Sequence, residues 1–175
     1  IAAPHCARTW ACRGRRSATG GALGEAYAGH GMNEVKYDQD FYGWTQEQAR
    51  LLREGRFAEL DVANVVEEIE TLGRSEQREV VARLRVLMVH LLKWQHQPAR
   101  RGPSWQNSIE VQRDDAREHL AENPSLKPLL NDILTAAYRK ARVDAEAETG
   151  LLRGTFPIDC PWSFDQIMSD SFWPD

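Results

Sequence analysis

The longest apolar pattern in the chain runs from Ser75 to Gln97. Val80, Leu84, Leu87, Leu91 and Trp94 recur there at helical spacing, with Val81 and Met88 beside them. Val86, Val89 and Leu92 widen the arc beyond a single stripe. A helix apolar on several sides is expected to be central, packed by neighbours on more than one flank. Pro98 removes a backbone donor and ends it.

The other segments follow the same period. Phe41, Trp44, Leu51 and Leu52 share one face of a first helix over Asp38–Glu54, with Gln48 between them and Gly55 suited to the stop. Thr45 and Gln48 have capping-box spacing, which allows a later start. Asp61 is placed to cap a second helix whose buried stripe is expected to be Val62, Val65, Val66, Ile69 and Leu72. Gly73 then breaks or kinks the run and Ser75 can cap the central helix, so the pattern allows either two helices or one bent one. Beyond a basic loop at Pro98–Pro103, Ser104 is expected to cap a helix to about Glu122. Trp105, Ile109, Gln112, Ala116 and Leu120 form its stripe. After Asn123–Pro124, a helix capped by Ser125 carries Leu126, Leu129, Leu130, Ile133, Leu134, Ala137, Tyr138 and Ala141 on its core face and ends near Gly150.

The last stretch, Leu151–Asp175, changes character. Pro157, Pro161 and Pro174 forbid long helices, while Ser163 can cap one short turn through Met168. Phe156, Trp162, Phe164, Ile167, Phe172 and Trp173 are too apolar for a free tail. No alternating β-branched run suggests a strand. The expectation is an all-α, compact helical bundle of four to five helices, with the aromatic, proline-containing C-terminal tail packed on it.

Charge divides the chain. Residues 1–31 hold Arg8, Arg13, Arg15 and Arg16 against Glu25 alone, which leaves 18 basic and 25 acidic residues from Met32 onward. Such an acidic body argues against general nucleic-acid binding. The first 31 residues carry no apolar periodicity, begin at Ile1 and are rich in Ala, Gly and Arg. They read as a non-native or disordered leader, or as a transit peptide, ahead of a single helical domain over residues 32–175. Cys6 and Cys12 lie in that leader, so Cys160 alone belongs to the body; this suits a cytoplasmic, reducing setting. No run approaches the roughly 20 apolar residues of a membrane helix, and no membrane partner is expected.

Four ordered motifs stand out: YDQDFYGWTQEQARLLREGRF from Tyr37, LDVANVVEEIETLGRSE from Leu60, HLLKWQHQPARR with the following SW and EVQR from His90, and FPIDCPWS from Phe156. Together they resemble a bacterial family, the domain of unknown function numbered twenty-nine, over nearly all of residues 32–175. The resemblance implies an all-helical fold and no established activity, cofactor or catalytic residue.

The residues themselves offer three constellations. Lys93, Trp94, Arg100, Arg101 and Trp105, with His96, crowd one turn between helices. Cation plus aromatic there fits either an anion-binding or nucleic-acid site, or a structural clasp with Arg stacked on Trp. Glu67 and Glu68, with Asp115 and His119 at i, i+4 spacing, supply carboxylate and imidazole for a divalent metal and metal-assisted hydrolysis. The dull alternative is a solvated acidic face. His90 and Gln112 lie where polar groups border a core, a polar seam to be satisfied by mutual contact or by water. No Gly-x-Ser-x-Gly, phosphate loop or HExxH occurs, and Cys160 reads as a packed thiol. The leading expectation is a small, non-enzymatic interaction or regulatory module with a protein partner and no cofactor. A hydrolase and a nucleic-acid or phosphate-binding regulator are the rivals.

Overall fold

A computed structural model describes residues 37–175. Residues 1–31, expected to form a leader, lie outside the described residues. Five α-helices, and no strand among the described residues, follow in order: α1 (Phe41–Arg53), α2 (Val62–His96), α3 (Pro103–Glu122), α4 (Leu130–Thr149) and α5 (Phe164–Met168). Short 3-10 turns join them.

The stretch around Gly73 is continuous helix. α2 runs unbroken for 35 residues, about 52 Å at 1.5 Å per residue. Gly73 inside it costs about 1 kcal/mol relative to alanine, and the 34 other residues carry the helix across it. Asp61 caps the start, accepting from the Asn64 amide at 3.3 Å.

Burial on α2 begins only at Val80. From there Val80, Leu84, Leu87, Met88, Leu91 and Leu92 are sealed from solvent against α3 and α4. Cross-links fix the directions. Arg83 bonds Asp115 and His119 meets Glu76, so α3 runs antiparallel to α2. Arg85 pairs with Asp144 and Lys93 with Glu148, so α4 returns parallel to it. The core is therefore a three-helix bundle centred on the second half of α2, as its wide apolar arc requires.

The first half of α2 behaves differently. Val62, Val66, Ile69 and Leu72, expected to be buried, are 58%, 47%, 62% and 63% exposed. The spacing was helical, but α3 and α4 do not reach that far along α2. Apart from the His119–Glu76 contact near its end, it is α1 among the described residues that leans on this half: the Trp44 indole donates to the Asp61 carboxylate at 3.2 Å, and the buried Gln48 side chain accepts the Asp61 amide at 2.9 Å. Tyr37 donates to Glu68 from the same side. α1 and this half of α2 thus form an arm that stands off the bundle. Asp40 caps α1 by accepting from Gly43, and Gly55 takes a left-handed φ of 70° just beyond its end.

Two caps differ from expectation. α3 starts with Pro103 at its first turn and Gly102 as N-cap, so Ser104 lies inside. Pro124–Leu129 forms a 3-10 turn, so α4 starts at Leu130 rather than after Ser125. Pro128 within that turn delays regular helix.

The tail wraps onto the bundle. Phe156, Trp162 and Ile167 are buried in the core, and α5 carries the Ser163–Gln166 capping box. Irregular backbone needs donors for its carbonyls. The Tyr138 hydroxyl donates to Pro157 at 2.9 Å, and Arg142 reaches the carbonyls of Arg153, Phe156 and Ile158. Arg113 is the polar residue in the core of α3, wholly buried, while Gln112 is half-buried one position away. Its Nε donates to the Ile167 carbonyl at 2.8 Å and its Nη2 to Phe172 at 2.7 Å, with the guanidinium 5.4 Å from the Trp173 ring centre. Burial lowers its pKa from the ordinary value, and the charge of Asp170 opposes that shift.

Three measurements follow from this packing. Leu87→Ala empties a fully buried site and is expected to lower unfolding free energy by about 2–5 kcal/mol in chemical denaturation. Arg113→Ala strips two tail carbonyls of a charged donor and is expected to cost about 3 kcal/mol, with tail amides exchanging faster than those of α2. His96 stands edge-on to Phe156 at 5.1 Å, and burial pulls its imidazole below the ordinary 6.5. The unfolded chain therefore takes up this proton first as pH falls. Stability is full above about pH 6.5 and declines below it, until the folded-state imidazole also titrates. Melting temperature measured against pH should show that decline, and His96→Phe should flatten it.

Candidate functional site

The Lys93–Trp105 turn is built by the end of α2, a 3-10 turn at Pro98–Arg100 and the start of α3. Two of its three cations are held by groups of the chain itself. Lys93 donates to Glu148 at 2.8 Å and lies 4.8 Å from the Trp105 ring centre. Arg101 donates to the Trp94 carbonyl at 2.8 Å, reaches Pro174 at 3.5 Å and sits 5.2 Å from the Trp94 ring centre. Trp94 packs on Trp173 of the tail at 4.7 Å. The two indoles are thus engaged by different partners, and the turn fastens the tail to the bundle end. Arg100 is exposed on the outer side of the turn.

Glu67, Glu68, Asp115 and His119 are not gathered. His119 Nε2 lies 3.1 Å from the Glu76 carbonyl and 3.3 Å from the Glu76 carboxylate. Glu68 belongs to the arm and sits two turns earlier on α2, about 12 Å along the axis. Asp115 and His119 do share an open polar cleft of about 130 Å³ with Arg83, Glu118 and Glu122. There Arg83 bridges Glu79 and Asp115, a positive charge already in place between the carboxylates. Among the described residues no three His, Cys, Asp or Glu side chains converge as a metal-holding group.

The polar seam is also partitioned. His90 is half-buried and its Nδ1 lies 2.9 Å from the Val86 carbonyl of its own helix, the i−4 position. The buried polar group next to Gln112 is Arg113, described above. Cys160 donates to the Trp162 carbonyl at 3.3 Å and lies 4.0 Å from the Met88 sulfur; burial raises its thiol pKa. Held in this way the thiol packs between the tail and α2, and its raised pKa disfavours the thiolate.

What spacing alone did not reveal is the arm. Asp61 anchors it three ways: it accepts from the Trp44 indole, from the Asn64 side chain at 2.6 Å and from the Asn64 amide. The Asn64 amide group, foremost, holds its carboxyl below the usual range. With α1 fixed on that side, Val62, Val66, Ile69 and Leu72 are turned to solvent as one strip. A continuous apolar strip on a fixed element is the usual mark of an interaction site, whereas isolated exposed apolar residues are ordinary. The sequence signal was present, a stripe with no length of partner helix left to cover it.

No helix among the described residues is long and apolar enough to cross a membrane. No curated protein and no solved structure matches the chain. The family described as Domain of unknown function DUF29 matches residues 36–173, a span that contains every helix of the arm, bundle and tail, and the chain belongs to that family.

Proposed function

We propose that this chain is a non-enzymatic interaction module of the cytosol that binds a protein partner through its arm. The exposed strip Val62–Val66–Ile69–Leu72 carries this reading. The three-helix bundle and its clasped tail then serve as the rigid base from which the arm is presented. The anion-binding reading draws less support, because Lys93 and the exposed Arg101 are already engaged by Glu148 and by backbone carbonyls. The hydrolase reading draws less support as well, since Glu68 lies on the arm and Asp115 is tied to Arg83. Cys160, a packed thiol, fits a reducing compartment.

The test is a photoreactive side chain placed at Ile69 in the native cells, with Val143 on the exposed side of α4 as control. Ile69 should give discrete adducts that vanish when Leu72→Glu is added, and Val143 should give none. Equal labelling from both positions, or none from Ile69, overturns the reading.

A further inference from the structure

We infer that the occupant of the arm is a second copy of this chain, docked antiparallel along α2. The inference rests on the interaction reading above and names its partner. Three observations carry it. The first is the order of charge beside the strip. Glu70 and Arg74 follow Val66 at successive i+4 steps, so one flank is acidic toward the N-terminal end and basic toward the C-terminal end. A helix charged in that order complements itself only when the second copy runs the other way. A twofold axis passing near Leu72 lays Glu70 beside the partner's Arg74, and Arg74 beside the partner's Glu70. A parallel copy sets like charge against like charge.

The second observation is Gly73. It continues the strip at the 4-3-4 spacing of Val62, Val66 and Ile69, in the interior of a long helix where glycine is unfavourable. A Cβ built there would meet nothing among the described residues within 4 Å, so the packing they show does not ask for a glycine. It lies where the two helices would cross, and there a missing side chain lets backbones approach. The third is scale. The four exposed side chains leave roughly 400 Å² of apolar surface, about half of what each partner gives to a standard interface. The alkyl stems of Glu70 and Arg74 can supply more, which fits a reversible dimer rather than a permanent one.

Sedimentation of the full chain over about 1–300 µM reads the association directly. The parent should pass from monomer to dimer. Glu70→Arg and Arg74→Glu each set two like-charge pairs across the interface and should each weaken it about tenfold. An equimolar mixture of those two variants should regain parental affinity, because each chain then meets its complement. Within each helix Arg74 also pairs with Glu70 at 3.2 Å; that pair stays broken in the mixture, so the rescue reads the contact between copies alone. Ile69→Lys should abolish the dimer with an unchanged melt. A parent that sediments as monomer throughout overturns self-pairing and leaves the arm's crosslinks to decide the interaction reading. A dimer indifferent to Ile69→Lys, or one whose charge variants are not rescued by mixing, overturns the proposed face or its antiparallel register.

Discussion

The structure depends on how an irregular tail is hydrogen-bonded. A helix satisfies its own carbonyls, but the only helical elements of Leu151–Asp175 are α5 and one 3-10 turn at Arg153–Thr155. Its apolar side chains, Phe156, Trp162 and Ile167, draw it into the bundle, and its carbonyls must come with them. Four arginines on the bundle meet that demand. Arg142 serves the entry of the tail, Arg113 and Arg117 the region around α5, and Arg101 the end at Pro174. Guanidinium suits the task because it offers several donors in one plane and lies flat on indole. Hydrophobic burial supplies the driving force; the arginines fix which backbone groups may be buried.

This explains why the basic turn has few charges to offer a ligand. Lys93 ties α2 to Glu148 of α4 and to Trp105 of α3, and Arg101 ties the turn to Trp94 and to the tail at Pro174, so both are consumed in joining parts of the chain. Cation and aromatic residues at such spacing serve recognition and clasping equally well. What separates the two uses is the position of Trp173, some seventy residues further along the chain, and no local pattern contains it.

Much of the fold was legible. The central position of the second half of α2 followed from an apolar arc too wide for one neighbour, and the packed tail followed from its aromatic density. The caps at Asp61 and Ser163 were readable because one side chain and one amide decide them. The burial of Val62–Leu72 was misread for a definite reason. Periodicity reports that a stripe exists, and the same period appears whether the cover is this chain's own helix or something else. α3 and α4, at 20 residues each, are shorter than α2 by 15, and that mismatch is what leaves the stripe open. Gln112 reads as the polar core residue because it falls in the stripe with Ile109 and Ala116, whereas a charge such as Arg113 ordinarily avoids burial. The carbonyls of Ile167 and Phe172, far away in sequence, reverse that preference. The candidate sites were the least legible part, since each required knowing which side chains from distant segments had already found one another.

One helix shared by two environments has a consequence for how the molecule opens. Hydrogen bonds along α2 are chemically alike from Val62 to His96, yet those beyond Val80 can break only when the bundle loosens, whereas those before it need only the arm to fray. The helix is therefore a single element in shape and two in cooperativity. Its solvent-facing half can melt and re-form without disturbing the sealed half, so events on the arm need not threaten the integrity of the base that carries it.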